Sequence, residues 1–298
     1  MKNLQFTAFS NAAVPALKLD ENWRFTQFEK LQNAIAGGNA QTVLTVDFEY
    51  NLRSREDNKI IVPAGTQKTI VEFILAGTGE TTWRSHIEVG ENATLNRVVV
   101  QIAPAGTAVL TDDEIVAAGT QACVKTTFVN CGGAYVRSTI TICAQAERVL
   151  LDTQIVNCAA GTQIVDVRTQ QFHNAQNTVS KLLCKNVLSD AATTIFSGNI
   201  IVTPNGQKTS ATQTCNNLSL SENATTHSMP GLEIDANDVQ CSHGATNSSL
   251  DNEQLFYLLQ RGIPENQARQ LLVQAFVNET FETLGNEPLA EFLRERVF

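Results

Sequence analysis

The residues best equipped for chemistry in this 298-residue chain are Cys241 and His243, within LEIDANDVQCSHGATNSSLDNEQLFYLLQRGI (232–263). On an extended strand, residues two apart leave the same face. A thiolate and an imidazole so placed can ligate a soft or borderline metal such as iron or zinc. Two ligands fall short of a site, and a satisfied histidine at a strand end fits the same residues equally well. His173 and His227 also fall late in the chain. A Cys–His nucleophilic pair would need an orienting third residue and an oxyanion hole, and the sequence marks neither. A polysaccharide-cleaving enzyme would need clustered carboxylates. Asp152 with Asp166, fourteen apart, and Glu233 with Asp235 are the thin support for one. The phosphate-binding patterns GxxxxGK[ST] and GxGxxG are both absent.

The seven cysteines, at 123, 131, 143, 158, 184, 215 and 241, are odd in number and irregular in spacing. That pattern suggests neither a disulfide framework nor, without a CxxC pair, a zinc ribbon. Most should be small buried hydrophobes in strands. Apolar residues make up 43% and charged residues 17%, which fits a globular chain. With a net charge of -9 and no Lys/Arg cluster, a nucleic-acid or anionic-membrane surface is not expected. The N-terminus has no apolar run of signal-peptide type, and nothing approaches the length of a membrane span, so a cytoplasmic protein is expected.

Three regions must position these residues. Residues 1–40 read as a short N-terminal helical segment, with Phe25, Phe28, Leu31 and Ile35 roughly on one face and Gly37-Gly38 ending it. Residues 41–249 are short alternating or apolar runs such as TIVEFILAG, RVVVQIAP, YVRSTITI and RVLLDTQIV, bounded by Gly, Asn, Asp or Pro. The turns resemble one another: GENAT (90–94), GTQAC (119–123), CGGAY (131–135), AGTQI (160–164), SDAAT (189–193) and SENAT (221–225). Ala122, Ala134 and Ala146 recur every twelve residues, about half of one solenoid coil. Tight small-residue corners before β-branched strands favour a mainly β, right-handed parallel β-helix. A β-sandwich would show similar strands, and the strict six-residue repeat of the left-handed form is missing.

Residues 250–298 read as a helical region. Asp251 and Gln254 resemble a capping box, Gly262 is placed as a C-cap glycine, and Pro264 suits the next first turn. Ala268, Leu271, Leu272, Ala275 and Phe276 form an apolar stripe expected to pack on the core.

LEIDANDVQCSHGAT with LDNEQLFYLLQRGIPENQA resembles the C-terminal core of the SufB/SufD family of iron–sulfur cluster assembly scaffolds, and its wording is similar to the SufD branch. NGQKTSATQTCNNLSLSENA (205–224) resembles the segment preceding that core, and ENWRFT (21–26) matches loosely. The resemblance implies a β-helix core that pairs with a SufB-like subunit, or with itself. It also implies a C-terminal region that docks a SufC-like ABC ATPase, whose closure would expose buried ligands near the junction. It implies a non-catalytic scaffold carrying a transient iron–sulfur cluster, none tightly held by the isolated chain. His243 matches the SufD-branch histidine implicated in cluster assembly. Cys241 belongs to the same motif, and Cys215 falls where the SufB branch carries its assembly cysteine. Where SufB would present Glu-His-Glu, this chain has Ser242, His243 and Gly244, which argues against the SufB role. The chain is also shorter than usual for the family, on the N-terminal side. A β-helix enzyme acting on a polysaccharide or acyl group and a purely architectural subunit are the competing readings.

Overall fold

The structure, a computed structural model, describes residues 41–46, 56–75, 80–104, 106–284 and 287–297. The helical segment expected over 1–40 and the ENWRFT match lie outside the described residues. Fifteen strands follow in order: β1 (Gln41–Val46), β2 (Glu56–Val62), β3 (Gln67–Leu75), β4 (Glu80–Val89), β5 (Thr94–Ala103), β6 (Ala108–Ala117), β7 (Cys123–Gly132) and β8 (Tyr135–Ala144). Then come β9 (Leu150–Ala159), β10 (Ile164–His173), β11 (Val179–Leu188), β12 (Thr193–Val202), β13 (Ser210–Ser219), β14 (Thr225–Ile234) and β15 (Gln240–Ser249). Odd-numbered strands stack into one parallel sheet and even-numbered strands into another, so the chain alternates between two faces of a parallel β-solenoid.

Every strand from β4 onward is ten residues long. The in-register partners Thr94, Cys123, Leu150, Val179, Ser210 and Gln240 give coils of 27 to 31 residues. Strand length is constant because each rung must cover the one beneath it, whereas corners face solvent and tolerate extra residues. The alanine spacing of twelve is therefore not the repeat: Ala122 is buried, Ala146 half-buried and Ala134 exposed. The similar turns are the corners. GENAT and GTQAC stack on one, through Cys123 N–H to the Ala93 carbonyl at 2.9 Å. SDAAT stacks on AGTQI at the other corner, through Ala191 N–H to the Gly161 carbonyl at 2.8 Å.

Inward positions of both sheets form one continuous core, with Ile87, Leu95, Ile115, Val136, Ile155, Val165, Phe196 and others almost fully buried. Each such side chain contributes about 1.5–3 kcal/mol by leaving water. The outer face of the odd sheet is covered by the helical tail: α1 (Asn252–Gln260), α2 (Glu265–Glu282) and α3 (Glu287–Val297). Asp251 caps α1, its Oδ1 accepting from Glu253 N–H at 2.8 Å and Gln254 N–H at 3.3 Å. Gly262, at φ 82°, takes the left-handed position after α1 that glycine fills without strain.

The stripe expected to bury α2 is corrected. Ala268, Val273, Val277, Thr280 and Phe281 are its buried residues, while Leu271 is 46% exposed. The sheet offers a row of valines, Val71, Val98, Val100, Val129, Val156 and Val187, and the flat side of α2 built on Val273 and Val277 packs against it. Lys185, buried on that sheet, fastens the helix by donating to the Phe276 carbonyl at 2.6 Å and to Glu279 at 2.7 Å. Leu271 is thereby turned outward, and Phe256, Tyr257 and Leu259 of α1 are exposed as well. No helix among the described residues is long and apolar enough to cross a membrane.

Candidate functional site

The solenoid is open at its C-terminal end: among the described residues no strand stacks beyond β14 and β15. By register, Cys241, His243, Ala245 and Asn247 continue the inward columns that hold Ala211, Gln213, Cys215 and Asn217 one rung below. Ser228, Pro230, Leu232 and Ile234 continue those of Phe196, Gly198, Ile200 and Val202. Inside the solenoid these columns are buried. At the last rung His243, Ala245 and Asn247 are exposed, and Leu232 and Ile234 are 39% and 37% exposed.

Cys241 and His243 share a face, as their spacing requires, but their surroundings differ. Cys241 is half-buried against Ile200, Val202, Ala211 and Ala236, and burial pushes its thiol up. His243 stands over Gln213 and, among the described residues, makes no side-chain hydrogen bond. Gln213 donates to the Gly198 carbonyl at 3.0 Å and accepts from Gln171 at 3.3 Å. A Cβ at position 198 would come within 2.6 Å of Gln213 Oε1 and Thr169 Oγ1, so only glycine lets the glutamine cross there. His243 thus ends an inward column whose next residue, Gln213, is polar and buried.

Cys215 lies one rung inward, fully buried beneath Ala245 rather than beneath His243. Its Sγ is 3.5 Å from Ser228 Oγ and accepts from Asn186 Nδ2 at 3.5 Å. Below it, in register, is the buried Cys184. A hydrogen bond from the Cys184 thiol holds Cys215 below the usual thiol range, while burial pushes Cys184 well above it. Among the described residues no group of three or more His, Cys, Asp or Glu is placed to hold a metal ion. His243, Cys241 and Cys215 therefore lie at one end without forming a ligand set within this chain.

The structure also separates residues that the sequence left together. His173 is buried, with its ring nitrogens 2.7 Å from Thr178 Oγ1 and 2.8 Å from Ser180 Oγ, and His227 points outward into solvent. Asp152 and Asp166 sit on different sheets, and Asp166 is held by Arg168 at 2.6 Å. Glu88 and Glu114 converge on the outer face, where both are engaged by His86. All seven cysteines lie on strands and are free, and two of them, Cys184 and Cys215, are fully buried.

Burial lowers the His173 pKa to about 4, so it stays neutral in the folded protein. The unfolded chain takes up a proton near pH 6.5 and the folded one does not, so stability falls as pH drops from about 6.5 towards 4. The loss attributable to this ring is on the order of 3 kcal/mol. His173→Gln should flatten that part of the profile in urea titrations run at several pH values, and an unchanged slope would refute the assignment.

The interior also holds a feature with no local signature in the sequence. Asn130, Asn157, Asn186, Asn217 and Asn247 stack in one inward column of the odd sheet. Each amide donates to the next at 2.6–2.8 Å. Asparagine recurring at the coil spacing was the available signal, but the coil length has to be known before it can be read. The ladder ends at the exposed Asn247, on the same open rung as His243.

Comparison with known proteins agrees with this architecture. The family description "SUF system FeS cluster assembly, SufBD core domain" matches residues 49–276. The chain is 36% identical over 166 residues to the iron–sulfur cluster assembly protein SufD of Escherichia coli, covering 56% of this chain and 39% of that protein. It is 32% identical over 213 residues to an iron–sulfur cluster assembly SufBD family protein of Synechocystis, covering 72% and 47%. SufD of Bacillus subtilis is 34% identical over 126 residues, covering 42% and 29%. The chain spans less than half the length of these relatives. A parallel solenoid carrying the CSHGAT motif on its last rung, matched by the core-domain description over most of its length, belongs to the SufBD family of SUF-system iron–sulfur cluster assembly proteins.

Proposed function

We propose that this chain is a SufD-like, non-catalytic scaffold subunit that pairs through its open solenoid end with a SufB-like subunit, or with a second copy. The observation that carries this reading is the last rung. Its inward-facing Leu232, Ile234 and His243 have the sequence character of a core yet face solvent. Exposed apolar residues in core positions call for a partner surface. An incomplete ligand set suits a cargo held between two chains, and the cargo here is iron or a nascent iron–sulfur cluster. His243, already exposed, would be the first ligand. Cys241 would join it from the same face after a small repacking. Cys215 would reach the cargo only if the β15 rung lifted, which is the step that ATPase-driven motion would supply. The imidazole needs no such exposure.

The helical tail would bind the SufC-like ATPase. Phe256, Tyr257, Leu259 and Leu271 are 37–60% exposed on neighbouring faces of α1 and α2. Tyr257 also lines a groove of about 520 Å³ with Asp251, Glu253, Gln254, Leu258 and Leu272. An apolar patch with an acidic rim suits a partner surface of apolar and basic residues. Lys185 would pass motion of that helix pair to the odd sheet.

The test is anaerobic cluster reconstitution of the complex co-expressed with SufB-like and SufC-like partners. His243→Ala should cut cluster absorbance several-fold while the complex still co-purifies, and Phe256→Asp should release the ATPase. Full cluster yield in the His243 variant would leave only an architectural role.

A further inference from the structure

We propose that Cys184 and Cys215 form a two-coordinate site for a soft, closed-shell monovalent cation of the cuprous class, inside the solenoid beneath the last rung, so that Cys215 serves it while the β15 rung is in place. The two residues are Cα partners on adjacent parallel strands, both point inward, and both are fully buried. Neighbouring strands lie about 4.8 Å apart, and in-register side chains leave them in parallel. A disulfide needs Cβ atoms about 3.8 Å apart, closer than that spacing allows without pulling the rungs together. A cation bridging two sulfurs in line, with metal–thiolate bonds of about 2.3 Å, spans nearly the rung spacing itself.

The surroundings select the ion. The thiols donate to Asn186 Oδ1 at 3.6 Å and Asn217 Oδ1 at 3.8 Å, neutral amide oxygens that compete poorly with sulfur, and a pair of thiolates favours soft cations such as Cu(I) over hard divalent ones. Among the described residues no third or fourth His, Cys, Asp or Glu joins the pair, so tetrahedral zinc or iron would lack ligands, whereas a linear d¹⁰ ion is satisfied by two. The asparagine ladder supplies a surrounding shell of donors: Asn157 Nδ2 donates to Cys184 Sγ at 3.6 Å and Asn186 Nδ2 to Cys215 Sγ at 3.5 Å. Ser228 Oγ lies a further 3.5 Å from Cys215 Sγ. A bis-thiolate cuprous centre carries one net negative charge, and amide N–H groups aimed at both sulfurs lower the cost of holding that charge away from water.

Two S–metal bonds form, both thiols lose their protons to solvent, and no electron is transferred. The path inward runs past Ala245, the exposed residue covering Cys215 on the last rung. Cys131 and Cys158 are likewise in-register partners, but on the outer face, half-buried and among apolar side chains without such amide donors, so they serve as the internal control.

The experiment titrates the reduced full-length chain with Cu(I) under anaerobic conditions, delivered as a complex with a chromogenic competing chelator, and follows proton release in parallel. One tight equivalent is expected. Cys184→Ser and Cys215→Ser should each weaken it by more than about tenfold, while His243→Ala and Cys131→Ser leave it intact. Cys184→Ala, checked for folding by circular dichroism, serves if the serine variant does not fold. Undiminished binding in the Cys184 variants, or loss in Cys131→Ser, overturns the site and leaves the cluster reading standing. Loss in His243→Ala would place the copper at the open end and also overturn it.

Discussion

Arg97→Met is expected to lower stability by about 3–5 kcal/mol or to prevent folding outright. Arg97 is fully buried inside the solenoid on β5. Its Nε donates to Glu72 Oε2 at 2.5 Å, and its Nη2 lies 2.7 Å from Asp113 Oδ1 and 3.1 Å from Ser85 Oγ. The guanidinium carbon is also 5.7 Å from the centre of the Phe128 ring. Burial opposes the arginine charge, but Asp113 and Glu72 outweigh it and raise the Arg97 pKa. Burial likewise pushes the Glu72 carboxyl up, and Arg97 is the main influence holding it down. Removing the arginine leaves two carboxylates in an apolar interior with no compensating charge, and at least one must take up a proton for the chain to fold. Replacing Glu72, Arg97 and Asp113 together by apolar residues of similar volume should recover most of the loss, because an intact buried ion cluster is roughly neutral relative to good packing. Guanidinium titration of the two variants decides the matter: equal stability of single and triple variants would show that packing, not charge, sets the cost.

The asparagine ladder carries the second large effect. Asn186→Ala should cost about 2–6 kcal/mol, because the neighbouring amides of Asn157 and Asn217 each lose a buried partner at roughly 1–3 kcal/mol. Asn157 Nδ2 donates to Asn186 Oδ1 at 2.7 Å, and Asn186 Nδ2 to Asn217 Oδ1 at 2.6 Å. Water cannot substitute, since all three residues are about 1% exposed. Asn216→Ala, on the half-buried outer face of the next rung, is the control and should change stability by about 0.5 kcal/mol or less. If the two variants titrate alike in urea, the ladder contributes nothing beyond ordinary packing. Its geometry also bears on function. An identical amide on each rung from β7 to β15 holds those rungs in register up to the open end, and so fixes the height at which Asn247 and His243 are presented.

The alternating strands, the small-residue corners and the capped α1 were legible in the residues themselves. Strand alternation and cap chemistry are local properties, written within a few positions of the residues they govern. Asp251 and Gly262 do what their types and positions predict. The Cys241–His243 pair on one face follows from strand geometry alone. The stripe on α2 was misread because a helix with two apolar sides does not say which one meets the sheet. That choice was made by the valine row on the odd sheet and by Lys185, some ninety positions earlier in the chain.

Strands and turns, a helical region after them, and a CSHGAT motif where the last strand gives way to it are all written in local residue patterns. Which of those strand residues are interior depends on how the coils stack. Stacking at an interval of 27–31 residues joined Cys184 to Cys215, put Arg97 between two acids and aligned five asparagines. No local pattern encodes a contact between residues a full coil apart. Stacking also decided that the columns stop at β15. His243 is the inward residue of a rung on which no further strand stacks among the described residues, and its exposure comes from its position in the stack rather than from its neighbours in the chain.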